Sequence, residues 1–170
     1  KFGHINIDVK EDEDRVETHN VAEYIFSQLD SDGITFEIPV YRTIMEVYRG
    51  EWERLGVGVE VPTDYFFMSP DPEVSAMSVT LLTEDDNYVI SKIWTQKEVH
   101  IESDEEQLSQ AVPETMVLYK WRFLDKHIAE VRRRIAEGNM TEEEAIEAAN
   151  MLTRFLSVRL TIAQITNRVI

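Results

Sequence analysis

Apolar residues in the last third of the chain recur in alternating steps of four and three. Val117, Trp121, Leu124, Ile128, Val131 and Ile135 fall on one narrow stripe of a helix. Ala145, Ala149, Leu152, Leu156, Leu160 and Ala163 repeat nearly the same rhythm after a turn signal at Gly138-Asn139-Met140. Two such stripes separated by a tight turn predict a long antiparallel helical hairpin over 113–170. The second helix carries one stripe more than that pairing needs. Phe155, Val158, Ile162, Ile165 and Val169 lie about a third of the way round it, flanked by Arg154, Arg159 and Arg168. Large apolar patches are seldom left to water, so these residues form the candidate partner-binding face, with a basic rim suited to an acidic groove. Docking onto the rest of the chain, or onto a second copy, would cover the stripe as well.

Upstream, the pattern breaks into short helices. Residues 2–9 alternate loosely through Phe2, Ile5, Ile7 and Val9, an extended arm or short strand, and Lys10 to Glu17 holds five acids in eight positions, read as a solvated loop. Asn20 followed by Glu23 has the form of a helix N-cap with a reciprocal partner. The helix it starts carries Ala22, Ile25, Phe26 and Leu29, and ends at Asp30-Ser31-Asp32-Gly33. Pro39 opens a second helix with Val40, Ile44, Val47, Trp52 and Leu55 on its inner face, closed by Gly56 and Gly58. Pro62-Thr63-Asp64 caps a short turn bearing Tyr65, Phe66 and Phe67 as core filler. Asp71-Pro72-Glu73 begins a helix that buries Val74, Met77, Val79 and Leu81, and a further helix is expected around Val89, Ile90, Ile93 and Trp94. Ser103 caps an acidic segment that reaches Val112. No run demands a sheet, so the expected fold is all-α: a small multi-helix bundle in 1–112, with 1–19 as arm or loop, followed by the 113–170 hairpin.

Charge sharpens that boundary. Residues 1–112 hold 8 Lys and Arg against 25 Asp and Glu, whereas 113–170 hold 9 against 8. A body this acidic repels phosphate backbones, so direct nucleic-acid binding is not expected of it. No apolar run is long enough to span a membrane, so no membrane contact is expected either. Absence of cysteine removes disulfides, thiolate nucleophiles and cysteine zinc sites, and fits a cytoplasmic protein. The chain opens on Lys1 rather than Met, which suggests an excised fragment.

Catalytic patterns fail one by one. None of His4, His19, His100 and His127 has the Glu three residues before it that a helical di-iron site needs, and no His-Glu-x-x-His zinc motif occurs. Asp30 and Asp32 could be taken for a magnesium pair, but they follow a helix and precede a glycine, which is a turn. Arg132, Arg133 and Arg134 spread over most of a helical turn and are diluted by Glu130 and Glu137. No phosphate loop or nucleophile elbow is found. The expectation is therefore no enzyme activity, no metal and no cofactor.

The run from Asn20 to Tyr41 (NVAEYIFSQLDSDGITFEIPVY) resembles the C-terminal region of the bacterial DnaG-type DNA primases, in the form found in Bacteroidetes. So do Phe66 to Val74 (FFMSPDPEV), Leu81-Leu82, Val89 to Trp94 (VISKIW) and the Asn167 to Ile170 ending (NRVI). The likeness runs from about Val21 to the end, and its motifs are structural rather than catalytic. It implies an all-helical bundle followed by a helical hairpin that docks on the N-terminal domains of the hexameric replicative DNA helicase. That family's zinc ribbon and metal-dependent polymerase core have no counterpart in these residues. The implied role is a non-catalytic fragment of a primer-making enzyme. The alternative is a self-associating structural or adaptor domain, a homodimer whose hairpins pair between chains.

Overall fold

The chain is mostly helical, with a small sheet at its start. A computed structural model describes residues 2–12, 15–83 and 104–165. Among these lie strands β1 (Asn6–Asp12) and β2 (Arg15–Asn20) and six helices: α1 (Val21–Ser31), α2 (Pro39–Leu55), α3 (Asp64–Phe67), α4 (Pro72–Thr83), α5 (Asp104–Glu137) and α6 (Glu142–Ile165). The chain divides into two compact units, Lys1–Val112 and Pro113–Ile170. The helix expected around Val89 to Trp94 lies outside the described residues.

The two-stranded sheet corrects the all-α expectation in part: β1 overlaps the short strand that residues 2–9 could form, whereas β2 stands where a loop was expected. β1 and β2 pair antiparallel, with Ile7 opposite His19 and Val9 opposite Glu17, and a register shift falls between Lys10 and Asp12. Strand periodicity sends Ile7 and Val9 to one face, where they are 1% and 6% exposed, while Asn6 and Asp8 face outward. The polar side is tied across the strands, Thr18 Oγ1 donating to Asp8 Oδ1 at 2.6 Å. Ile7, Val9 and Val21 form a buried cluster on which Tyr24, Ile25, Leu108 and Val112 pack. β2 has too few apolar residues to reveal itself, and only its pairing with β1 makes it a strand.

Asn20 turns the chain from sheet to helix. Its Oδ1 accepts from the backbone N–H of Ala22 (3.2 Å) and of Glu23 (3.5 Å), satisfying two of the unpaired donors at the start of α1. α1 buries Val21, Ala22, Phe26 and Leu29 and stops at Gly33, whose φ of 62° suits a residue without a Cβ. Pro39 is the first residue of α2, and Gly56 at φ 100° ends it. The Phe26 ring joins the two helices: Trp52 meets its edge at 5.3 Å, Tyr48 lies 6.2 Å away, and Tyr48 stacks in turn on Phe66. All five residues expected on the inner face of α2 are only half-buried.

Two details of the short helices differ from expectation. In α3 only Phe66 is buried, whereas Tyr65 and Phe67 are exposed. In α4 the buried positions are Val74 and Ser78, while Val79 and Leu81 lie at 45% and 46% exposure and Met77 is half-buried. Ser78 can take an inner position because its hydroxyl donates back to the Val74 carbonyl at 2.7 Å, leaving no bare polar group. Asp71 caps this helix, its Oδ1 accepting from the Glu73 N–H at 2.9 Å.

Candidate docking surface

Unit 2 is built from α5 beyond Pro113 and all of α6. Expected as the first residue of the hairpin, Pro113 lies inside α5, which already runs from Asp104. Proline lacks the N–H that would bond the carbonyl of residue 109, yet its fixed φ is compatible with helix, so the pattern break marks a change of unit without ending the helix. The first turns of α5 belong to unit 1, where the Ser109 hydroxyl accepts from the Asp8 N–H at 3.2 Å.

A reciprocal cap starts α6. Glu144 Oε2 accepts from the Thr141 N–H (2.7 Å) and hydroxyl (2.9 Å), and the Glu144 N–H donates back to Thr141 Oγ1 (3.3 Å). This is a capping box of the Thr-x-x-Glu form, directly after the glycine turn. The two bonds from Thr141, backbone first, hold the Glu144 carboxyl below the usual carboxylate range. Gly138, at φ 68°, supplies the left-handed residue after α5.

Within this unit α5 buries Met116, Leu124, Ile128 and Val131, and α6 buries Ala148 and Ala163. The stripe expected on α5 is thus correct at its centre. Val117 and Trp121 are half-buried, and Ile135 is exposed. On α6 the phase of the inner face differs from the expected seam. Ala145, Ala149 and Leu160 are exposed, Leu152 and Leu156 are half-buried, and only Ala163 of the six is buried as expected. Phe155, assigned to the outer stripe, lies 6.2 Å from the ring of His127, which also meets Phe123 edge-on at 4.3 Å. Arg159, assigned to the basic rim, instead lies against α5. Its Nε sits 2.7 Å from Asp125 Oδ1, an ion pair without hydrogen-bond alignment, and its guanidinium lies 5.1 Å from the Trp121 ring. Apolar counting missed this because the inner face includes an arginine.

The expected docking set is therefore divided. Phe155 and Arg159 belong to the helix–helix contact, and Ile162 is half-buried. Arg154 and Val158 are exposed, Val158 at 50%. The Ile165 side chain, Arg168 and Val169 lie outside the described residues. Met151, 45% exposed and absent from the expected set, joins Arg154 and Val158 on one flank of α6. Ile146 and Leu160 are exposed on another side.

Of the arginine cluster, Arg133 is engaged on its own helix, Nη2 lying 2.7 Å from Glu130 and Nη1 pairing with Glu137. Asp30, set aside as a magnesium ligand, is held by Arg49 through two bonds of 2.9 and 3.1 Å. Among the described residues, no group of three His, Asp or Glu is placed to hold a metal ion, and no helix is long and apolar enough to cross a membrane.

Unit 1 has its own concave feature, an apolar cavity of about 530 Å³ whose lining includes Ile25, Phe26, Tyr41, Ile44 and Tyr48. Burial, with Glu60 adding to it, pushes the Tyr48 hydroxyl above its ordinary range. Gly3 also lines the cavity, and a Cβ there would collide with that hydroxyl.

The sequence profile of a family described as a domain of unknown function, DUF8430, matches residues 1–169. This chain belongs to that family. No curated protein and no solved structure matches it. The DUF8430 match runs through both units, so the acidic first unit and the two long helices are parts of one family domain.

Proposed function

We propose that this chain is the C-terminal helicase-binding domain of a DNA primase, a non-catalytic docking module that links primer synthesis to DNA unwinding in the cytoplasm. The observation that carries the reading is the order of contacts between the long helices. Phe155 on α6 meets His127 on α5, and Arg159, one turn on, meets Asp125 and Trp121, which come earlier. Contacts that run backwards along α5 as α6 advances support the reading of an antiparallel helical hairpin. In the primases that the sequence resembles, a hairpin of this kind follows a helical bundle and reaches the helicase. Unit 1, with α1 to α4, precedes the two long helices in the chain, the order that the reading requires.

The flank of α6 left by that pairing, with Arg154 and Val158 at its centre, is the docking face. Its chemistry is apolar contact with a basic rim, and no bond is made or broken there. Calorimetric titration with the N-terminal domain of the cognate replicative helicase tests the reading. The full chain is expected to bind, and Val158→Asp to bind about tenfold more weakly with unchanged helicity. Unchanged affinity in that variant would remove the flank from the interface, and no binding by the wild-type chain would sink the primase reading. A second reading, self-association through the hairpin, is favoured by the exposure of the same flank.

A further inference from the structure

One flank of α6 is complementary to itself. At about 100° per residue, Glu143, Glu147, Met151, Arg154, Val158 and Thr161 fall within a quarter-turn of one another. Every one of them is exposed. From Glu147 the steps are four, three, four and three, the spacing of a stripe that stays in line along a neighbouring helix. Its charge is ordered: acids at the amino-terminal end, Arg154 beyond the middle, and Met151 and Val158 as the apolar positions. No ion pair engages Glu147 or Arg154 among the described residues, in contrast to Arg159 and Arg133 on the neighbouring faces.

We infer that this flank is a two-fold interface between copies of this chain, with α6 packed antiparallel to α6 of the second copy near Met151. The inference rests on the self-association reading and specifies its face and direction. Charge decides the direction. Parallel pairing would set Glu147 on Glu147 and Arg154 on Arg154. Antiparallel pairing brings Glu147 of each copy alongside Arg154 of the other, twice by symmetry, and sets the Met151 side chains of the two copies together at the middle. A two-fold axis makes one patch sufficient, which is why acid and base share it.

Sedimentation velocity of the full chain over a concentration series tests the interface. A monomer–dimer equilibrium is expected that weakens as salt is raised. Arg154→Glu should weaken it about tenfold, because each of the two symmetric pairs becomes a repulsion. The double variant Glu147→Arg with Arg154→Glu should restore it, since the swap preserves both pairs. Circular dichroism verifies that each variant keeps its helicity. A wild-type monomer at every concentration overturns the inference, as does a dimer indifferent to Arg154→Glu. Failure of the double swap to restore pairing in a folded chain overturns the antiparallel arrangement. Helicase titration separates the readings: a dimer that binds no helicase removes the primase proposal alone, and a strict monomer that binds helicase removes this one alone.

Discussion

Asn20 and Glu144 do similar work at the starts of their helices, under different exposure. Asn20 is buried, and its Oδ1 satisfies the N–H groups of Ala22 and Glu23. Asn20→Ala leaves those donors without that acceptor in a place water reaches poorly. It should cost about 1–2 kcal/mol in urea unfolding, and a smaller loss would mean the cap contributes little to α1. Glu144 is exposed, so its contribution is better read through pH. Its carboxyl is lowered in the folded chain by the two bonds from Thr141. That stabilisation is present above the unfolded-state value and fades as pH falls through the folded one. The difference in urea midpoint between wild type and Glu144→Gln should therefore be present at neutral pH and vanish in acid. A difference independent of pH would show that the carboxylate's charge is not what the cap uses. Both caps were within reach of sequence reading, because a cap needs only residues three apart.

At the scale of elements, the first strand pair separates local from non-local information. β1 alternates Ile7 and Val9 with polar residues, whereas β2 reads as a polar stretch with Val16 exposed. Its strand character comes from backbone bonds to β1, which no composition of β2 announces. Ile7→Ala should destabilise unit 1 by about 3 kcal/mol, because Ile7 is almost fully buried. Val16→Ala on the exposed side should change the unfolding midpoint very little. If the two variants behave alike, the strand pair is not anchored through Ile7. The same division holds on α6, where the existence of the helix was legible but its inner face was not. An apolar count placed the seam through Ala145, Ala149, Leu152, Leu156, Leu160 and Ala163; Ala163 is buried and Leu152 and Leu156 are half-buried, whereas Ala145, Ala149 and Leu160 are exposed and Ala148, Phe155 and Arg159 take inner positions instead. Arg159, assigned to the basic rim, explains part of the difference: its guanidinium lies 5.1 Å from the Trp121 ring and its Nε meets Asp125, so a basic residue takes part in the helix–helix contact.

On the scale of the molecule, the formal net charge of −16 and its concentration before residue 113 govern what the chain can approach. Long-range repulsion of phosphates should leave duplex DNA unbound up to about 100 μM at physiological salt, as measured by fluorescence anisotropy. Tighter binding would mean that the arginines of unit 2 act as a patch despite the acidic body.

The sequence alone determined where α1, α2 and α4 begin, the acidic-to-neutral boundary near Pro113 and the presence of two long helices. These depend on caps, glycines, prolines and charge counts, all of which act over a few residues. Tertiary structure alone decided that Arg15 to Asn20 is a strand, that Ser78 sits inside while Leu81 does not, and which side of α6 meets α5. Those outcomes depend on what lies opposite each residue, and a partner distant in sequence leaves no mark on local periodicity. The flank bearing Met151, Arg154 and Val158 emerged only when pairing with α5 had claimed Phe155 and Arg159.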